Sequence, residues 1–254
     1  MRHLALFLLL TAACDGTGID EDTDLGSDTD TNPADGGTEA DTDADVDTGD
    51  TDTDANVGDP IPSSSLTDRT YVINYDDVTW VAPSGVGLLS DQIPVEYILL
   101  HIANADPVAE TIDAIGGLGV TAGNGVAQDT CTDTFGFGPQ DFTTNPLFNV
   151  GPTTLSFPFD GTDFDIENAS IEATFVENGD AIVDISIAGR LDTRPFDGLG
   201  FGDICGLVAL FGDTCTACPD GATECLDVFL TVPRAEADDG IDFAEVPVPG
   251  PECN

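Results

Sequence analysis

Four cysteines crowd the last quarter of the chain: Cys205, Cys215, Cys218 and Cys225, spaced C-x9-C-x2-C-x6-C. That spacing admits three chemistries. Four thiolates could hold a zinc ion tetrahedrally. Cys215-Thr-Ala-Cys218 has the form of a redox pair, but the alternating strand and helix context of such pairs is missing. The third reading is structural, with disulfides stapling 203–226 to a domain. Cys131 and Cys253 raise the number of cysteines after residue 14 to six. An even number in an exported domain predicts three disulfides of unknown pairing, and the reading of the site is structural, with no metal.

Other reactive residues are sparse. His101 lies among Leu99, Leu100 and Ile102 with no second histidine nearby, so it reads as a satisfied strand residue and not as a ligand or base. No G-x-S-x-G, P-loop or H-E-x-x-H motif occurs. The chain has no lysine, which removes Schiff-base and lysine-base chemistry. Paired carboxylates could serve as acid and base, yet 32 acids beyond residue 59 single out no pair. No catalytic residue is assigned. GRLDTRPF (189–196) carries two of the four arginines past residue 13. Arg190 and Arg194 could dock a carboxylate-bearing ligand, or form an ion-pair ladder with Asp192 at a strand end. Asn168-Ala-Ser170 has the form of a glycosylation sequon and is taken as coincidence.

The run ADTDADVDTGDTDTDANVGD (40–59) invites a calcium reading, which its spacing defeats. Asp41, Asp43 and Asp45 supply the first ligands of an EF-hand loop, but Val46 fills the required glycine position. Starting at Asp43 puts Thr48 there. Weak, diffuse Ca2+ association is all that remains, and no cofactor is expected.

The N-terminus MRHLALFLLLTAAC has Arg2, a short apolar run Leu4–Leu10, and small residues Thr11, Ala12 and Ala13 before Cys14. This is the layout of an export signal, too short to span a bilayer. The junction resembles a bacterial lipobox. That resemblance implies cleavage before Cys14 and lipidation of its thiol, anchoring the protein to a membrane. Thr11 stands where the pattern prefers leucine. The released chain would hold four arginines against 49 acids. Such a surface repels phosphate backbones, which excludes nucleic acid as a partner.

The elements follow from composition and period. Residues 1–13 form the signal and 14–66 an Asp/Thr-rich tether without enough apolar surface to fold. As a flexible coil, 15–60 spans roughly 35–40 Å. A disulfide-stapled β-rich domain occupies 67–237, and an acidic, proline-bearing tail 238–254. Within the domain, Tyr71, Ile73 and Tyr75 alternate, then Val78 and Trp80 switch parity, which predicts a bulge near Asp76–Asp77. Leu155, Phe157 and Phe159 precede Asp160-Gly161, and a two-residue turn pairs Phe157 with Phe164 and Leu155 with Ile166. Around Asn178-Gly179, matching the apolar faces pairs 175 with 183, 173 with 185 and 171 with 187. Residues 226–233 read as a last strand. Asp203–Phe211 reads as a short helix capped by Asp203 and stopped by Gly212. Residues 106–116 read as helix or strand. The fold class is mainly β, an antiparallel sandwich or small barrel with one or two short helices.

Lipobox, Asp/Thr-rich tether, LDTRPF and the four-cysteine spacing together resemble envelope lipoproteins of myxobacterial type. The resemblance implies export and a lipid anchor in the cell envelope, on the inner or outer membrane or at the surface. It implies no activity. The expected role is non-enzymatic structural or adhesive contact with an envelope or extracellular partner. The alternative is a module holding a small apolar ligand in a barrel or inter-sheet cleft.

Overall fold

The computed structural model describes residues 59–85, 87, 95–159, 162–197, 202–248 and 253. The signal, Cys14 and the aspartate run up to residue 58 lie outside the described residues. Ten strands form one antiparallel sheet: β1 (Arg69–Asn74), β2 (Thr79–Ala82), β3 (Tyr97–Asp106), β4 (Thr111–Ala122), β5 (Gly125–Gln128), β6 (Phe135–Asp141), β7 (Leu147–Phe159), β8 (Thr162–Val176), β9 (Ala181–Asp192) and β10 (Cys225–Ala237). Two short helices follow β9: α1 (Arg194–Asp197) and α2 (Ile204–Ala209). The class is mainly β, as the period-two pattern requires.

The strand order is β5-β4-β3-β1-β10-β9-β8-β7. β6 shares an edge of β4 with β5, and β2 shares an edge of β10 with β1. β1 and β2 are two halves of one strand broken by a 3-10 turn at Tyr75–Asp77, where the parity switch placed a bulge. The sheet rolls until β6 lies against β7, but it does not close. Thr153 Oγ1 donates to the Gly136 carbonyl at 3.3 Å, and the Phe135 and Phe157 rings stand 6.3 Å apart. The form is thus an open, rolled sheet whose inner face is the core.

Phe175 lies near the centre of that core. It stacks on Phe148 at 4.5 Å and meets Tyr71 and Phe142 at 5.7 and 5.8 Å. The buried Tyr71 hydroxyl donates to the Gly179 carbonyl at 2.7 Å, so its polar end is satisfied,. Residues 59–66, assigned to the tether by the sequence reading, are partly drawn in: Leu66 is fully buried and Ile61 packs on the core.

The β7–β8 hairpin has the predicted register, with Leu155 opposite Ile166 and Phe157 opposite Phe164. The β8–β9 hairpin does not. Only the 171–187 pair stands; Phe175 faces Ile182, not residue 183. The connection is a four-residue turn with Glu177 and Asn178 at positive φ, and Asp184 (φ 53°) takes up the extra residue as a bulge,. Ile182 and Ile185, three apart, thereby both point inward. Of the two readings for 106–116, strand is correct. Asp106 accepts from the Val108 and Ala109 amides, using a helix-cap residue to make the tight turn into β4,. α2 forms where predicted, with Asp203 capping the Gly206 amide and Ile204 and Val208 buried, but it ends at Ala209 and leaves Phe211 exposed.

Truncating the central ring should be costly. Phe175→Ala is expected to lower the unfolding free energy by about 3–5 kcal/mol. Urea titration followed by fluorescence of Trp80, the only tryptophan, measures this.

Candidate functional site

The six cysteines after Cys14 form three disulfides, Cys131–Cys253, Cys205–Cys215 and Cys218–Cys225. The C-x2-C pair is divided between two loops, so neither the four-thiolate nor the redox arrangement forms. Asp192 lies beside the Cys218 and Cys225 sulfurs. Those sulfurs are bonded to each other, and Arg194 holds the carboxylate. The two local bridges staple α2 and the following loop to the start of β10, where Thr193 also bonds the Glu224 carbonyl through its amide and hydroxyl.

Cys131–Cys253 closes 122 residues and ties down the C-terminal segment. In the chain-entropy account a loop of this length contributes about 4–5 kcal/mol. Residues 241–246 are laid across the sheet. Gln128 exchanges two hydrogen bonds with Ala244, and Thr134 three with Val246. Phe243 stacks on His101 at 4.6 Å, and His101 Nδ1 bonds Thr70 Oγ1 at 3.0 Å. His101 is therefore a packed strand histidine.

The four arginines of the domain are all engaged by carboxylates, at the two ends of β9. Arg69 and Arg234 both hold the turn at 177–180: Arg69 through Asp180 and the Gly179 carbonyl, Arg234 through Glu177. At the other end Arg190 pairs with Asp227 at 2.8 Å and donates to the Ala217 carbonyl. Arg194 chelates Asp192 and reaches Asp220 at 2.6 Å. The hydrogen bonds from Arg194 hold Asp192 below the usual carboxylate range. β9 stops at Asp192 and Arg194 opens α1, so the two guanidinium groups do not share a strand face. A docked anion at Arg190 or Arg194 would compete with these intramolecular carboxylates.

A different place gathers groups without partners. A cleft of about 490 Å³ lies over β6, β7 and β8, lined by Gln140, Asp141, Thr144, Asn149, Gly151, Pro152, Asn168 and Ser170. Three irregularities converge to make it. β7 loses register with β8 on both sides of Thr153, β8 bulges between Glu167 and Ser170, and Gly138 bends β6 at φ 67°. The β8 bulge is possible because both neighbouring strands offer glycine. A Cβ at Gly151 would sit 2.5 Å from the Ala169 carbonyl, and one at Gly189 would meet Ile166 at 2.4 Å. Ala169 is buried while Asn168, at φ 52°, is exposed beside the cleft. The side chains of Asn149, Asn168 and Ser170 have no hydrogen-bond partner among the described residues. Gln140 donates to the Phe137 carbonyl and Asp141 accepts from Thr143. Sequence reading missed this cleft. Its signals were Gly138-Pro139 and Gly151-Pro152, prolines inside strands that mark bulges, with Asn145-Pro146 closing the turn before β7,.

No protein-family model matches the chain, and no curated protein or solved structure resembles it.

Burial against Phe243 pushes the His101 pKa below its ordinary value, opposed by the Asp68 carboxylate. The unfolded chain then takes up the proton first as pH falls. The stability held by the neutral ring is therefore present above about pH 6.5 and lost below it. NMR titration should place His101 below that value in the wild type, and Phe243→Ala should raise it toward about 6.5.

Proposed function

We propose that this chain is an exported, lipid-anchored protein of the cell envelope that displays its β domain for structural or adhesive contact, without catalysis. The observation that supports this best is the cysteine inventory. Six of the seven cysteines are consumed in disulfides, which leaves Cys14, at the lipobox-like junction, as the single cysteine in the sequence not so paired. Disulfides of this density suit an oxidising compartment. The long acidic segment between Cys14 and the first described residues suits a self-repelling spacer.

The core favours contact at the surface over the apolar-ligand alternative. Phe148, Phe175 and Tyr71 fill the inner face of the rolled sheet, and the cleft described above is polar and open to solvent. A small apolar ligand gains little from amides and hydroxyls.

Lipidation is the step most open to test. Cells expressing the wild-type chain should incorporate labelled palmitate into it, and Cys14→Ser should abolish the label while leaving the three disulfides intact. Label that survives the substitution would overturn the anchor.

A further inference from the structure

We propose that the cleft over β6, β7 and β8 binds a neutral carbohydrate. The chemistry of its lining excludes the other ligand classes one by one. Among its eight lining residues there is no arginine, lysine or histidine. A phosphate or carboxylate would find no counter-charge there, beside Asp141 and on a protein with 49 acids,. Pro152 is the one lining residue with a wholly apolar side chain, so an apolar ligand would leave the amides and hydroxyls around it unpaired,. An extended peptide joins a sheet by pairing with a free edge. The outer edge of β7 faces β6 across the open seam, but Pro152 on β7 and Pro139 on β6 have no amide hydrogen to donate, and Thr153 Oγ1 already bonds the Gly136 carbonyl there,.

An uncharged ligand dense in hydroxyls fits what remains. Asn149 and Asn168 each offer one acceptor and two donors in a plane, and neither is bonded within the described fold. Vicinal hydroxyls on a sugar ring present a donor and an acceptor side by side, the complement of such an amide. Ser170 and the free acceptor of Gln140 add two more polar partners on the same cleft. Gly151 leaves a stretch of floor without a side chain, where a sugar ring can lie close to the backbone. The backbone itself supports the reading. The bulge that turns Ala169 into the core leaves Asn168 at positive φ on the cleft side, between two glycines that tolerate no Cβ, and costs sheet pairing,.

The proposal goes beyond the display role and does not depend on it, because the cleft lies within the domain whether or not Cys14 is acylated. It also names a surface through which an adhesive domain could hold a polysaccharide.

The test is a nitrogen-15 NMR titration of the full oxidised chain with three neutral probes: maltohexaose, cellohexaose and chitohexaose. Hexaglycine and inorganic phosphate serve as comparisons. At least one saccharide should shift the amides of 138–152 and 167–171 saturably, with a Kd on the order of 1 mM or tighter. Asn149→Ala and Asn168→Gly should each weaken that binding about tenfold or more. Asn168→Gly keeps the positive φ, so its unfolding midpoint should match the wild type and separate lost binding from lost fold. Absence of saturable shifts with all three saccharides would overturn the proposal. So would shifts elsewhere, equal affinity in both variants, or occupation of this cleft by hexaglycine or phosphate instead.

Discussion

Self-repulsion is the constraint that shapes this protein. The domain carries 32 acids and four arginines beyond residue 59, so compaction brings like charges together at every turn. Lone surface ion pairs contribute only about 0–1 kcal/mol each, and four arginines cannot neutralise such a surface. Cohesion has to come from elsewhere. It comes from an aromatic core around Phe175 and from three covalent bridges, one of which spans 122 residues. The arginines instead sit among carboxylates at the two ends of β9. Two clamp the acidic turn at one end of β9, and two clamp the disulfide-bound loop at the other.

That division of labour links fold to role. Loops rich in aspartate and glycine can remain on the surface of a small domain because disulfides fix them without adding apolar area. The three disulfides are then a condition of the fold, which is why they support the proposed export to an oxidising compartment,. The same logic applies to the C-terminal segment. Its acids would favour a free chain, yet Cys253, the Phe243 stack and paired hydrogen bonds to Gln128 and Thr134 hold it on the sheet.

Much of the fold was legible because alternation is a local signal. The β7–β8 register follows from matching Phe157 with Phe164 across a two-residue turn. The number of disulfides follows from an even number of cysteines, although their pairing does not. What escaped were the places where alternation breaks. At β8–β9 the expected inward set of Val183, Ile185 and Ile187 became Ile182, Ile185 and Ile187, because Asp184 adopts a positive φ that no periodicity reveals. Residues 106–116 carried a helix cap, and the structure uses that cap for a hairpin turn. The polar cleft was invisible for the same reason. It exists only where bulges in three strands coincide, and its residues span positions 140 to 170 with nothing unusual in composition.

In the proposed arrangement, one chain joins a lipidated Cys14 to a fully oxidised domain through an acidic spacer. Intact-mass spectrometry of the protein purified from its own host tests that claim in a single spectrum. The account predicts a chain beginning at Cys14, heavier than its sequence by acyl groups and lighter by the six hydrogens lost to three disulfides. An unmodified N-terminus, a start at another residue, or free thiols among the six domain cysteines would contradict it.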